Sequence, residues 1–412
     1  MSATLKSRKI LNDPVYGFIT IPSELIFSII DHPFFQRLRR IRQLGLTDFV
    51  YPGALHTRFH HALGAMHLMS ITLENLRYKG HEISEEEFEA ALIAILLHDI
   101  GHGPFSHALE YSLLKNIPHE RLSILIMEEL NRQFHGKLNL ALKIFNNQYE
   151  RKFFHQLVSS QLDIDRLDYL QRDCFFTGVS EGTIGADRII KMMDIKNDQL
   201  VVEEKGLYSI ENFLSARRLM YWQVYLHKTT VSAEKMLINL VLRAKYVQQN
   251  RGNLRATDEL IHFLSHDFTL KDFEHSTELL KLFLSLDDFD IWGGIKLWKN
   301  ESDYILKSIS KMFLERKLFK INLRNEEYLP EEIEEAGTKT MKKLGIEVSD
   351  LPYFFTYGSI SNNAYLTKEK IHILTKRGEI LDVAQAADLP NIKAMSKIVT
   401  KHYICQAKSL NL

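Results

Sequence analysis

The run Ala94-Ile95-Leu96-Leu97-His98-Asp99-Ile100-Gly101-His102-Gly103-Pro104-Phe105-Ser106-His107 carries an apolar helix into a His-Asp pair and breaks it at two glycines, with two more histidines around the start of the next helix. Nine of the eighteen histidines lie between His56 and His119, so half of the chain's imidazoles are gathered in one stretch. Imidazole is both a metal ligand and a proton carrier near neutral pH. Beside carboxylates, such a cluster suggests a metal or acid–base site. His61, His98, Asp99 and Asp165 come from three expected helices. Two imidazoles and two carboxylates suit Mn, Fe, Zn or Mg better than thiolate-seeking metals. A lone histidine on an apolar helix is more often a satisfied core residue; the ensemble is what points to chemistry.

A second constellation lies downstream. Asp165, Tyr169 and Asp173 stand at i, i+4 and i+8, which puts them on one helical face. Arg217, Tyr221 and Tyr225 repeat that spacing. A face of Asp, Tyr and Arg is too polar for an ordinary core and suits a pocket for a sugar and a phosphate chain. Arg37, Arg39, Arg40 and Arg42 form either a solvated basic face or an anion site, since guanidinium forks match phosphate oxygens.

The elements that must position these groups are mostly helical. Residues 8–22, with Asn12-Asp13-Pro14 and Gly17, read as a hairpin or extended arm. Apolar periodicity places helices from Pro22 and over Pro33 to Leu44, and another from Thr57 to about Tyr78. Ser84 with Glu87 reads as a capping box for a helix ending at His98. Pro118 breaks the chain before His119-Glu120 opens another helix, and residues 151–172 and 208–250 also read as helix. Helical patterns continue to about Phe319; Tyr353 to Tyr357 and Ile371 to Leu374 read as strands. The fold class expected is mostly α: a helical core with an N-terminal arm over 1–235, and a smaller helical and α+β lobe over 236–412 for oligomerisation or regulation.

At 412 residues the chain can bury a large core. Lys+Arg and Asp+Glu both number 52, which argues against bulk nucleic-acid binding and makes any anion site local. Two cysteines, Cys174 and Cys405, give no disulfide framework or zinc motif and fit a reducing compartment. No apolar signal core follows Met1 to Lys9, and the apolar run around Ala90 to Leu97 is too short to span a bilayer. The expectation is a soluble cytoplasmic protein without membrane contact.

His61, His98-Asp99 and Asp165 resemble, in order and type, the metal set of the HD superfamily of phosphohydrolases. Asn12-Asp13-Pro14, Gln36-Arg37-Leu38-Arg39, Gln43-Leu44-Gly45, Arg58-Phe59-His60-His61, the His98–His107 run, and Asp168-Tyr169 with Arg172-Asp173-Cys174 resemble the deoxynucleoside triphosphate triphosphohydrolases, nearest the branch whose relative carries an added SAM domain. The resemblance is dense over roughly residues 9–230 and thin afterwards.

The resemblance implies hydrolysis of a dNTP, with dGTP the first guess, to deoxynucleoside and inorganic triphosphate by attack at the α-phosphorus. His61, His98, Asp99 and Asp165 would hold a divalent metal, with Mg accompanying the triphosphate. His107 would protonate the leaving 5′ oxygen, oriented by Glu110, where the family usually has Asp. His102 and His119 would touch the phosphate chain. Arg58, Arg166 (often Lys in the family) and Arg217 would bind phosphate oxygens. Gln43, Tyr169 and Asp173 would read the sugar 3′-hydroxyl, and Tyr225 would exclude a 2′-hydroxyl by packing. Tyr221 stands where the relative has His. Lys9, Asp31, Gln36, Arg39, Arg316 and Lys320 match a regulatory site for an activating dNTP or GTP at a subunit contact, within a homo-oligomer such as a tetramer or hexamer; a basic intersubunit patch is the simpler reading. Two other functions remain open: a phosphodiesterase or phosphatase on another nucleotide, and a non-catalytic nucleotide sensor.

Overall fold

A computed structural model describes residues 9–105, 107–110, 112–114, 117–362, 370–387 and 399–409; of His107 it describes the backbone alone. The chain opens with a hairpin, β1 (Ile10–Asp13) and β2 (Gly17–Thr20), turned by Asp13, whose carboxylate accepts from the N–H groups of Val15 and Tyr16. This is the expected arm. Helix α1 (Glu24–Asp31) follows, capped by Ser23.

The helix expected from Pro33 to Leu44 stops early. Pro33–Gln36 is α-helical, Arg37–Arg40 is one 3₁₀ turn, and the chain then leaves the helix. Long-range partners take its amides: Arg42 N–H donates to Asp288 (2.9 Å) and Gln43 N–H to His56 O (3.0 Å). Gln43 is thereby freed from a helix and set on a loop.

Helix α2 (Arg58–Tyr78) begins where expected. His60 caps it, its Nδ1 lying 3.1 Å from Thr57 N, so of the two adjacent histidines one is used structurally. Helix α3 (Glu85–Leu97) has the expected reciprocal box: Ser84 N–H to Glu87 (2.8 Å) and Glu87 N–H to Ser84 Oγ (3.1 Å). Helix α4 (His119–Gln133) is also as read.

Residues 151–172 are two helices rather than one. Lys152–Val158 ends, and α5 (Ile164–Thr177) restarts at Asp163, whose carboxylate accepts from the N–H groups of Ser160 and Arg166 (2.8 Å each). An acid that could sit inside a helix acts here as its N-cap. The hairpin β3 (Met193–Lys196) and β4 (Gln199–Glu203) was not foreseen; Asn197 and Asp198 turn it at positive φ. The helix expected over 208–250 is also divided. Helix α6 (Leu207–Met220) passes into a π-helical turn, Tyr221–Tyr225, before α7 (Lys228–Arg251) restarts at His227. Helix α7 runs unbroken through residues 235 and 236 and packs on α9 (below).

Then come α8 (Asp288–Trp298), α9 (Tyr304–Leu314), β5 (Lys320–Arg324) and α10 (Pro330–Leu344). The remaining strands are β6 (Phe355–Asn362), β7 (His372–Leu374), β8 (Ile380–Asp382) and β9 (Val399–Gln406). The strand expected from Tyr353 begins at Phe355, because Leu351–Phe354 completes a helical turn first. One sheet is antiparallel in the order β5-β9-β6. In the other, ordered β3-β4-β7-β8, the parallel pairing Val202↔Ile373 returns the late chain to the first half. The result is the expected mostly α fold with small sheets, wrapped round a continuous apolar core from Ile19 to Ala407. No described helix is long and apolar enough to cross a membrane.

Candidate active site

Three helices bring four candidate ligands together, of which His61, His98 and Asp99 form one compact group and Asp165 adjoins the two imidazoles. His61 sits in the first turn of α2, His98 and Asp99 just past the end of α3, and Asp165 in the first turn of α5. His61 Nε2 lies 3.3 Å from His98 Nε2 and 3.1 Å from an Asp165 oxygen. His98 Nε2 lies 3.4 Å from both Asp99 and Asp165, and Asp99 reaches to 3.8 Å from His61. Donor atoms about 3 Å apart are what a divalent ion with bonds of about 2.1 Å draws around itself. Two neutral imidazoles and two carboxylates also fit such an ion chemically. The residues can therefore hold a divalent metal.

The next layer fixes which nitrogen faces that group. His61 Nδ1 is bound to Asp168 (2.7 Å) and His98 Nδ1 to Ile95 O (2.6 Å), so in each ring Nε2 is turned inward. Arg172 holds both Asp168 oxygens at 3.0 Å and donates to Asp13 of the hairpin at 2.8 Å. All four of these groups are buried. A Cβ at Gly64 would overlap the Asp168 carboxylate and the Arg172 guanidinium, so this bracing needs glycine in the middle of α2. Burial by itself would lower the His61 pKa, but hydrogen bonds to Asp165 and Asp168 push it up to about 10. Burial alone would raise Asp165, yet bonds to His61 and His98 hold it far below the usual carboxylate range. The cluster is thus strongly polarised toward holding positive charge.

Gly101 closes the other side. A Cβ there would strike His119 O and Ser123 N, so its absence lets the His98–Phe105 loop lie against α4. Ser123 links the two, accepting from Gly101 N–H (3.0 Å) and donating to His98 O (2.9 Å). This brings His102 and His119 face to face, with ring centroids 3.7 Å apart. Glu110 accepts from His119 N–H at 3.0 Å and lies 3.3 Å from its Nδ1. One partner of Glu110 is thus His119; the side chain of His107, its expected partner, lies outside the described residues. Asp288 of α8 pins the loop from below, accepting from Phe105 N–H (2.8 Å) as well as Arg42 N–H.

A cavity of about 490 Å³ opens beside the donor cluster. Of the residues expected at the site, Gln43, Arg58, Asp99, His102, His119, Asp165, Arg166, Tyr169, Asp173, Tyr221 and Tyr225 all line it. The i, i+4, i+8 reading of α5 therefore holds, while Asp168 and Arg172 on the adjacent face turn inward to brace His61. The π-helical turn places Tyr221 against Tyr225 (5.2 Å, 86°), and Tyr225 packs on Tyr169 (6.1 Å, 72°). Tyr225 OH donates to Asp173 (2.8 Å), whose other oxygen is held by His56 (2.7 Å). Gln43 lines the cavity, and its Oε1 is buried with no hydrogen-bond partner among the described residues. Arg58 is paired with Asp99, and Arg166 with Asp163. Arg217 is not among the lining residues; it is buried and donates to Gln161 (3.1 Å).

Residues 58–173 match the HD domain family, and residues 184–265 match the HD associated region. Over 98% of its length this chain is 34% identical to the Bacillus subtilis protein YwfO, covering 94% of that protein. A crystal structure of a phosphohydrolase from Bacteroides thetaiotaomicron superposes with a TM-score of 0.94 at 49% identity, covering 97% of this chain and all of the other. The chain belongs to the HD-domain family of phosphohydrolases. It is also 30% identical, over 66% of its length and 56% of the relative, to the deoxynucleoside triphosphate triphosphohydrolase SAMHD1 homolog of Dictyostelium discoideum. The four converging donors lie within or at the edges of α2, α3 and α5, all inside the matched HD region.

The six residues expected to bind a regulatory nucleotide fall in two places. Gln36 accepts from Arg39 Nε (2.8 Å), Arg39 lies 3.6 Å over the Phe59 ring, and Lys9 packs on Phe27 of α1, the helix that ends at Asp31. Arg316 instead donates to Phe49 O (2.7 Å), and Lys320 lines a groove with Lys339 and Lys343 of α10. Sequence reasoning did not single out His56, the bracing role of Asp168, Asp288, or Glu234, which also lines the cavity. Asp168 carried a signal: it lies three residues after Asp165, one turn along the same helix.

Proposed function

We propose that this protein hydrolyses a deoxynucleoside triphosphate to deoxynucleoside and inorganic triphosphate, with dGTP the favoured substrate. The observation that carries the reading is that one cavity joins the His/Asp donor cluster to the wall of Gln43, Tyr169, Asp173 and Tyr225. A monophosphate or cyclic-nucleotide hydrolase needs the first and not the second.

A bound divalent ion would acidify water and polarise the α-phosphate. The rest falls to side chains. His61, His98, Asp99 and Asp165 would hold the ion, in the tautomers that Asp168 and Ile95 O impose. Arg58 and Arg166 line the cavity as cations for phosphate oxygens, whereas Arg217 does not line it and donates to Gln161. His102 and His119 would touch the phosphate chain. Water adds to the α-phosphorus, the bond to the 5′ oxygen breaks, and that oxygen takes a proton, assigned by motif to His107. Gln43, Tyr169 and Asp173 would read the 3′-hydroxyl, and Tyr225, packed on Tyr169, would exclude a ribose 2′-hydroxyl.

Regulation belongs to the same proposal. The Lys9, Asp31, Gln36 and Arg39 group and the Arg316 and Lys320 group would meet across a homo-oligomer contact and hold an activating dNTP or GTP. An Arg39→Ala, Arg316→Ala double variant should then lose activation while keeping basal turnover; unchanged activation sinks the regulatory site. The reaction itself is tested by incubating the protein with Mg²⁺ and Mn²⁺ and each dNTP, alone and in pairs. Triphosphate is the expected product. Orthophosphate or pyrophosphate would indicate a different phosphohydrolase, and no product with metal bound would indicate a sensor.

A further inference from the structure

The proposed reading leaves part of the cavity lining without a role. The donor cluster with Arg58 and His102 takes the phosphates, and Tyr169, Asp173 and Tyr225 take the sugar. The lining residues without a phosphate or sugar role include Leu44, Phe105, Tyr221, Leu226 and Glu234. Three of these are apolar walls suited to the faces of a base. Glu234 is the acid among them. It sits in the second turn of α7, a helix that packs against both Thr47–Phe49 and His107–Glu110, so its position is set by framework rather than by a loop. It is half-buried, and among the described residues its carboxylate makes no hydrogen bond or ion pair. Burial, only partly offset by Lys235, pushes its pKa up to about 7. A carboxylate facing a cavity without a donor is destabilising until a ligand supplies one.

We infer that Glu234 is the base-reading residue of this cavity and selects guanine, its two oxygens accepting from the ring N1–H and the 2-amino group. Guanine presents two adjacent donors, which match an acceptor-only carboxylate. Adenine and cytosine each set one donor beside an acceptor, and thymine flanks its one donor with two carbonyls. Each of these would leave a carboxylate oxygen facing a lone pair. This selection rests on the dNTP reading above and goes beyond it by naming the residue that reads the base and how it does so.

The test is a competition. Equal amounts of dATP, dCTP, dGTP, dTTP and dITP, which lacks the 2-amino group, are mixed with the metal-loaded protein, and the deoxynucleosides released are separated. Any activating nucleotide is then present for every substrate, and the ratios do not depend on how much of a variant is folded. The wild type should favour dGTP over dITP and dATP by about 10- to 100-fold, the worth of a hydrogen bond to a charged group. Glu234→Gln keeps the volume but turns one acceptor into a donor, and should bring those ratios to within about threefold of unity. A wild type without dGTP preference, or a preference that survives Glu234→Gln, overturns the inference while the triphosphohydrolase reading stands. No triphosphate from any nucleotide overturns that reading and this one with it.

Discussion

The two sides of the cavity are built differently. On the side of the His/Asp cluster, the His61 and His98 rings are each oriented by a second group, and the bracing passes from His61 through Asp168 and Arg172 to Asp13, all buried. On the other side, His102, Glu110 and His119 are carried by a short glycine-bounded loop, a single helical turn and the first residue of α4. Beneath them lies a small, mainly apolar cavity of about 20 Å³ lined by Leu109, Leu113, Leu114 and Phe283. The difference separates two tasks. A metal site needs fixed geometry before substrate arrives, whereas groups that follow a phosphate chain must adjust to it.

That contrast can be broken first on the rigid side. His98→Ala with Asp99→Ala removes two of four donors, and turnover should fall by at least about 10⁴-fold, together with loss of stoichiometric metal by elemental analysis. Retained activity would refute the assigned site. Gly64→Ala forces apart a buried ion pair without touching a ligand. It should destabilise the fold by about 3 kcal/mol in chemical denaturation, and a variant as stable as wild type would show that the brace can yield. On the adjustable side, Glu110→Gln should leave metal content unchanged and lower kcat by about 10- to 100-fold, since it weakens the support of His119 and the orienting contact expected for His107. Loss of metal from Glu110→Gln would mean that the two sides are not separable.

The smallest effect concerns Asp288, which ties the loop to the core. Burial pushes its carboxyl up to about 6, against the N–H bonds from Arg42 and Phe105, from an ordinary value of 3.8. An acid whose folded pKa is raised is destabilised when ionised, so its unfavourable contribution appears above the unfolded value and is complete above about pH 6. Relative to wild type, Asp288→Asn should gain about 1–3 kcal/mol in unfolding free energy between pH 4.5 and 7.5. A flat difference would place the loop's anchor elsewhere.

How legible these features were follows from how local they are. The donor set could be read because His61, His98-Asp99 and Asp165 each stand at a helix end with type and order intact. The Asp165, Tyr169, Asp173 face followed from helical periodicity alone, and the structure puts all three on one wall. The breaks at Asp163 and at Tyr221–Tyr225 were not readable, since a cap acid and a π-helical turn look like ordinary helix in sequence. Gln43 lines the cavity, but its helix was drawn too long, because the Arg42 N–H that would continue it is taken by Asp288, 246 residues away. His56 and Glu234 carry no periodic signal; only tertiary packing places them at the cavity. The β4–β7 pairing joins segments about 170 residues apart, which no local pattern reports.

The most direct measurement is ³¹P NMR of the products formed from dGTP in ¹⁸O-enriched water with Mg²⁺ and Mn²⁺ present. Attack at the α-phosphorus predicts inorganic triphosphate carrying the label on a terminal phosphate, with unlabelled deoxyguanosine. Labelled pyrophosphate or orthophosphate, or triphosphate without label, would contradict it.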